Sequence, residues 1–364
     1  MPSTPYRVAV WSTGGIGSIA IRAVAENPDT ELVGVWVHSP AKAGRDAGEL
    51  VGLEPLGVLA TNDVDALIAL RPDCVVYAAS GPERDAAAVP DHVRLLAAGI
   101  NVVSTTLNRL IYPEGFEPKV WRDELVEATA TGNASLYASG IEPGFAADHL
   151  VLMMATQCKT ISRIHASEIA LYDDYPVAET MMDAMGFGMP LDYTPMLAYP
   201  GTIAFQWGPG LRLIAEGLGW EIDEIRENFD RVATDRDLDV AFGTAKAGTC
   251  GALRTQAIAV VDGREVIVIE HVNRLAADLG TEWGVGGPNP VYRITIDGEP
   301  DVECEMTANL RDPEASGSAM TSGAGAMVST AMRVVNAIPY VVDAKAGLLS
   351  ALDLPLTLPR HALR

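Results

Sequence analysis

Arg7–Gly17 reads RVAVWSTGGIG: four consecutive apolar residues and then a drop into small ones. The helical run SIAIRAVAENP follows at once. A strand that ends in small residues just before a helix is the local form of a dinucleotide-binding turn. In such a turn one glycine makes the bend, a second admits the pyrophosphate, and a third lets helix and strand pack closely. Gly14 and Gly17 stand at the second and third places, and Ser12 stands at the first. Ser12 can serve there if its φ is negative, and its hydroxyl could then cap the helix. The stretch Ser12, Thr13, Gly14, Gly15, Ile16, Gly17 is therefore the expected grip on a dinucleotide's phosphates at a helix N-terminus. The alternative is a plain strand, loop and helix.

Outward from this turn, strand and helix signals alternate through the first 140 or so residues. ELVGVWVHS, DCVVYAAS, INVVSTT and SLYASG read as further buried strands, with HVRLLAAG and WRDELVEATATGN as helices between them. Alternation of this kind predicts a parallel, doubly wound sheet, a Rossmann domain over about residues 1–145. From there the rhythm changes to long strands, with hairpin turns expected at Asp262-Gly263 and Asp297-Gly298. A second domain of α+β type, over about 146–324 and built on a largely antiparallel sheet, is the expectation. A Met-rich helical region is expected between Glu179 and Phe229. The apolar tail from about 325 to 364 is expected to pack back on the first domain.

The 364 residues are 48% hydrophobic and 20% charged, enough for two ordinary cores. A net charge of −22 argues against nucleic-acid and anionic-membrane partners. No apolar run is read as reaching the roughly 20 residues that a bilayer crossing needs. MPSTPY is too short and too polar for a secretion signal. Four cysteines without C-x-x-C spacing predict cytosolic thiols, with neither a disulfide framework nor a metal cluster.

The second strand bears on the choice of cofactor. NAD sites usually close this strand with an acid for the ribose hydroxyls. Here it runs on as VHSPAKAGRD, with His38, Ser39, Lys42 and Arg45 and no acid before Asp46. A hydroxyl and two cations suit a 2′-phosphate better, so NADP is expected, with NAD possible. Lys42 and Arg45 as solvated surface charges are the alternative. Ala79, Ser80 and Thr105, at the ends of the next two strands, complete the expected cofactor contacts.

VAVWSTGGIG, VHSPAKAGRDAGEL, NVVSTT…YP, GIEPGF and VVNAIP occur in an order that resembles the dihydrodipicolinate-reductase-like oxidoreductases over nearly the whole chain. Within that group the chain is most similar to 2,4-diaminopentanoate dehydrogenase and the native amine dehydrogenases. The resemblance implies a Rossmann domain followed by an antiparallel sheet domain, a homodimer, and NAD(P)-dependent oxidative deamination or its reverse. It also implies a Glu in the segment after VVST to activate the amine, and G-x-N-P-G-F further on. This chain carries Asn108 or Arg109 at the first position and Glu142 at the second. Both segments leave neighbouring strands at one edge, so an exchange of roles between Asn108 and Glu142 across one cleft is expected. Glu142 would then be the acid/base or the partner of a substrate ammonium. The alternative makes Glu142 a loop anchor in a chain that has lost amine chemistry. Arg109 would instead suit a carboxylate or carbonyl substrate.

For the substrate, Tyr172, Met182, Phe187, Trp207 and Trp283 are the expected lining, the two tryptophans lying in Gly- and Pro-rich loops, with plain core as the alternative for the methionines of ETMMDAMGFGMP. His271 alternates along a strand and reads as a sheet histidine rather than a proton carrier. An apolar pocket fits a small hydrophobic ketone, aldehyde or amine. Two further functions stay open: an NADP-dependent carbonyl reductase or alcohol dehydrogenase with Tyr172 or Glu142 as proton donor, and an NADP-binding protein without chemistry.

Overall fold

The computed structural model describes residues 4–79, 84–286, 289–312 and 323–363, so Ser80 lies outside the described residues. Two compact units are present. One gathers the chain up to Gly144 and from Met327 onward, and the other is built on Phe145–Arg311.

The first unit opens with β1 (Tyr6–Trp11), β2 (Thr30–Trp36), β3 (Ala60–Thr61), β4 (Cys74–Tyr77), β5 (Asn101–Ser104) and β6 (Ser135–Ala138). Between them run α1 (Gly15–Glu26), α2 (Ala47–Leu50), α3 (Val64–Ala69), α4 (Arg84–Ala97) and α5 (Lys119–Gly132). The last four residues of β1 are all buried because the sheet is covered on both faces. Val8 and Val10 join one core and Ala9 and Trp11 the other.

The second unit holds α6 (His149–Ala155), β7 (Thr160–Leu171), α7 (Thr202–Leu218), β8 (Glu224–Ala233), β9 (Leu238–Val240), β10 (Gly243–Ala245), β11 (Cys250–Val261), β12 (Arg264–Arg274), β13 (Val291–Glu299) and β14 (Val302–Thr307). Its six-stranded sheet has the order β14-β13-β7-β12-β11-β8. β7 and β12 pair in parallel while the other neighbours are antiparallel, so the sheet is mixed and the expected antiparallel pairing holds at every step but that one. Apolar alternation marks a strand but carries no direction. Asp262 (φ 51°) and Gly263 (φ 72°) make the expected two-residue hairpin turn. The second reversal falls later than expected. Asp297-Gly298 is a register shift within β13, and the Gly298 N–H donates to Asp301 Oδ1 at 2.9 Å. The expected helical stretch also ends early, since residues 224–229 pair with β11 as part of β8.

The chain returns to the first unit through α8 (Ala324–Val335), α9 (Ile338–Val342) and β15 (Gly347–Leu349). Residues Ala324–Val342 are 19 in number with a hydropathy of 1.2, long and apolar enough by those measures to cross a membrane. The stretch stops just short of the roughly 20 residues that the sequence reading takes as its threshold. In the structure Val334, Val335, Ile338 and Val341 are buried with Val8, Val10 and Val35. β15 completes a seven-stranded parallel sheet of order β15-β6-β5-β4-β1-β2-β3. Its direction of winding reverses between β1 and β4, the switch point where ligands of open α/β sheets bind.

Candidate active site

α1 begins at Gly15 with Gly14 as its N-cap, and the first bond inside it runs from Ser18 N–H to Gly14 O at 2.8 Å. The N–H groups of Gly15, Ile16 and Gly17 therefore have no carbonyl to meet within the helix. Together with the helix dipole they form an anion site. A Cβ on Gly17 would stand 2.2 Å from Ser12 O, so only glycine allows the helix this close to the turn. Gly14 is required for neither reason: its φ is −76° and its Cβ would meet only Ser12 Oγ at 3.5 Å. The space in front of it is what a diphosphate needs.

Ser12 departs from expectation. Its φ is +101°, where glycine is the usual residue, and its Oγ accepts the Gly14 N–H at 3.1 Å instead of capping α1. The turn therefore bends as a glycine would bend it, with a hydroxyl stabilising a conformation that its Cβ disfavours.

A cavity of about 310 Å³ opens at this turn. Ser12, Thr13, Gly14, Gly15 and Ile16 form its floor, and Ala78 and Ala79 close it from the end of β4. His38, Ser39 and Lys42, from the segment after β2, form its outer wall. Lys42 Nζ reaches back to donate to Thr13 Oγ1 at 2.9 Å. The structure thus gathers most of the expected cofactor residues into one wall. Gly17 lies behind it as the packing glycine. Arg45 is exposed and outside the lining, and Thr105, whose N–H donates to Tyr77 O at 3.0 Å, also lies outside it. Asp46, the first acid after β2, is turned to structural work: its carboxylate accepts the N–H groups of Gly48, Leu56 and Gly57. Those bonds hold its pKa below the usual carboxylate range, Leu56 contributing most.

Three lining residues were not expected: Ala78, next to the expected Ala79, and two from other elements. Trp36 is the last residue of β2, and Met327 comes from the far end of the chain. Trp36 stacks on Trp11 at 4.4 Å, Trp11 on Tyr77 at 5.1 Å, and Tyr77 lies 4.2 Å from the His92 ring. This ladder runs across the C-terminal ends of β2, β1 and β4 and stiffens the wall from behind. His92 is fully buried between Ala88 O and Ser104 Oγ, at 2.7 and 3.1 Å. Burial lowers its pKa to about 4, opposed by the Ala88 carbonyl. The unfolded chain binds this proton near pH 6.5 and the folded one only near 4. Stability from this group is thus complete above 6.5 and lost as pH falls toward 4. The expected loss over that window is on the order of 3 kcal/mol. It is read from chemical denaturation at stepped pH, and His92→Gln, though weaker at neutral pH, should lack this part of the slope.

Farther along the same sheet edge, Leu107 (φ 53°) turns the chain from β5 into a short 3-10 helix, Asn108–Ile111. Asn108 is half-buried, while Arg109 is buried with its guanidinium 5.5 Å from the Phe116 ring centre. Next to it β6 runs into Ser139-Gly140-Ile141-Glu142-Pro143-Gly144. Ser139 N–H donates to Ser104 O at 3.0 Å, tying the two strand ends together. Ser139 Oγ donates to Gly144 O at 3.0 Å and Thr330 Oγ1 accepts the Ile141 N–H at 3.2 Å. Gly144 has φ +118°, and a Cβ there would lie 2.6 Å from Gly140 N. Glu142 is half-buried on this closed loop.

The second unit separates the expected substrate residues. Phe187 is wholly buried in a core with Met181, Cys250 and Leu253, against which Tyr172 packs. Phe187 is thus core rather than exposed lining. Burial beside Glu168 raises the Tyr172 pKa far above the usual phenol range. Met182 is half-buried in the π-helical turn Glu179–Ala184. Trp207 is not in a loop: it sits on α7 with its ring 4.6 Å from that of His271. His271 is a buried sheet histidine, its Nδ1 3.7 Å from Glu168 Oε1. Trp283 ends a 3-10 turn with Arg254 5.5 Å from its ring centre.

The parallel sheet, its switch point and the glycine-floored cavity there define a Rossmann-type dinucleotide-binding protein. Residues 6–106 match the N-terminal domain of dihydrodipicolinate reductase, and residues 145–362 match the 2,4-diaminopentanoate dehydrogenase C-terminal domain. The chain is 40% identical to an amine dehydrogenase of Streptomyces virginiae over 95% of both chains. It is 25% identical to the 2,4-diaminopentanoate dehydrogenase of Acetoanaerobium sticklandii over 71% of this chain and 67% of that protein. Its fold matches the structure of an amine dehydrogenase from Mycobacterium smegmatis with a TM-score of 0.76, at 20% identity and covering 98% of each chain. The chain belongs to the 2,4-diaminopentanoate dehydrogenase and amine dehydrogenase family; it is an oxidoreductase whose family implies a nicotinamide cofactor.

Proposed function

We propose that this enzyme interconverts small hydrophobic amines with their ketones and ammonia, using NADP and with Glu142 as the acid/base. One observation carries the reading of the chemistry: a half-buried carboxylate on a closed loop, at the sheet edge that holds the cofactor cavity, in a chain 40% identical to an amine dehydrogenase. The bound nicotinamide would supply the hydride exchange. Gly15, Ile16 and Gly17 would hold the diphosphate through their N–H groups. Glu142 would hold or move the proton of the substrate nitrogen, and Asn108 would orient the substrate by hydrogen bonding.

NADPH oxidation with a panel of hydrophobic ketones, with and without ammonium, tests this directly. Turnover that requires ammonium is the expected result. Turnover without it would mean a carbonyl reductase, and no turnover a cofactor-binding protein without chemistry.

The preference for NADP is supported by Lys42 on the cavity wall and by Asp46 being committed to three backbone N–H groups instead of the ribose. Lys42→Ala is expected to weaken NADP binding about 10- to 100-fold, the worth of a charge-assisted contact, and to leave NAD binding nearly unchanged. Titration calorimetry with both cofactors checks it. The homodimer that the family resemblance implies belongs to this reading and is checked by sedimentation.

A further inference from the structure

The cavity wall holds a second basic group besides Lys42. His38 follows Val37, whose N–H donates to Thr61 O at 2.8 Å, so its backbone is fixed by the end of β3. Its exposed ring stands 6.2 Å from Trp36, tilted by 48°. His38 and Lys42 are the titratable side chains lining the cavity among the described residues. From the β1–α1 turn and the end of β4 the facing residues carry no charge. Of the nearby acids, Asp46 is bound by the N–H groups of Gly48, Leu56 and Gly57, and Asp63 Oδ1 accepts those of Asp65 and Ala66. Lys42 offers a single charge, already hydrogen-bonded to Thr13. A phosphate monoester carries between about 1.5 and 2 negative charges at neutral pH. Histidine is the side chain whose charge changes between about pH 5 and 8.

Resting on the NADP reading, we propose that His38 takes up a proton when the 2′-phosphate binds and completes a two-cation clamp with Lys42. NADP is then favoured over NAD most strongly at slightly acid pH, and the preference fades as pH rises and His38 gives up its proton. Lys42 supplies the remainder of the preference. His38 is thus a specificity-determining residue for the cofactor, with no part in the reaction itself.

The test is calorimetric titration of the wild type, His38→Gln and Lys42→Ala with NADP and NAD at pH 6.5, 7.5 and 8.5. Each titration is run in two buffers of different ionisation enthalpy to count protons taken up. For the wild type, the ratio of NAD to NADP dissociation constants is expected to fall about tenfold from pH 6.5 to 8.5, the order that up to one linked proton allows. NADP, and not NAD, should take up a fraction of a proton near pH 7. His38→Gln should lose both effects while still preferring NADP. A wild-type ratio that stays flat, or a slope and proton uptake that persist in His38→Gln, would overturn the role of His38 alone. A wild type that binds both cofactors equally, or a Lys42→Ala variant with an unchanged ratio, would overturn the NADP reading itself.

Discussion

Glu142→Gln is expected to cut turnover about 10²- to 10⁴-fold, the contribution of one positioned proton-transfer group. Cofactor affinity should stay within about twofold. The substitution keeps the size of the side chain and its capacity for hydrogen bonds but removes the group that can hold a proton. The loop itself is held by the Ser139–Gly144 and Ile141–Thr330 hydrogen bonds, neither of which involves the Glu142 side chain. Folding should survive because these bonds remain and the amide has the shape of the carboxyl it replaces. The pH profile of turnover should lose one limb along with the activity. Near-normal turnover with an unchanged profile would make Glu142 a loop anchor and move the chemistry elsewhere.

Gly17→Ala is expected to abolish measurable cofactor binding and to cost about 1–3 kcal/mol of stability, the range for forcing a methyl into a packed site. The added Cβ would meet Ser12 O at 2.2 Å and Ser12 C at 2.7 Å. Both are backbone atoms, so α1 must move away from the turn, and the N–H groups of its first turn move with it. Gly14→Ala is the matched control. Its methyl makes only ordinary contact with Ser12 Oγ, at 3.5 Å, so the fold should persist. Loss of binding in that variant would report on the room a diphosphate needs. Thermal melting and cofactor titration of both variants separate the two effects. Full cofactor binding by Gly17→Ala would contradict the close approach of helix and turn.

The β1–α1 turn was legible because everything that defines it lies within 20 or so consecutive residues. His38, Ser39 and Lys42 were legible for the same reason, as the continuation of a strand. What escaped was set by packing between distant segments. Met327 reaches the cavity from the C-terminal helix, and no local pattern announces it. Gly208-Pro209-Gly210 reads as punctuation, so the sequence predicts a loop at Trp207. In the structure these residues lie inside α7 and bring it close to the sheet, where a Cβ on Gly210 would stand 2.9 Å from Ile269 Cδ1. Phe187 shows a different limit, since an aromatic that lines a pocket and one that fills a core look alike in sequence. The parallel pairing of β7 with β12 was hidden because strand direction depends on the connection between them. Ser12 stands where the first glycine is expected but with the opposite sign of φ: its +101° follows the bend, and its hydroxyl accepts the Gly14 N–H.

A crystal structure of the protein soaked with NADP, at neutral pH, is the most direct measurement. The expected result is a diphosphate against the N–H groups of Gly15 to Gly17, the 2′-phosphate beside Lys42, and the nicotinamide directed to the edge that carries Asn108 and Glu142. A dinucleotide bound away from the glycine turn, or one whose nicotinamide points away from that edge, would contradict it.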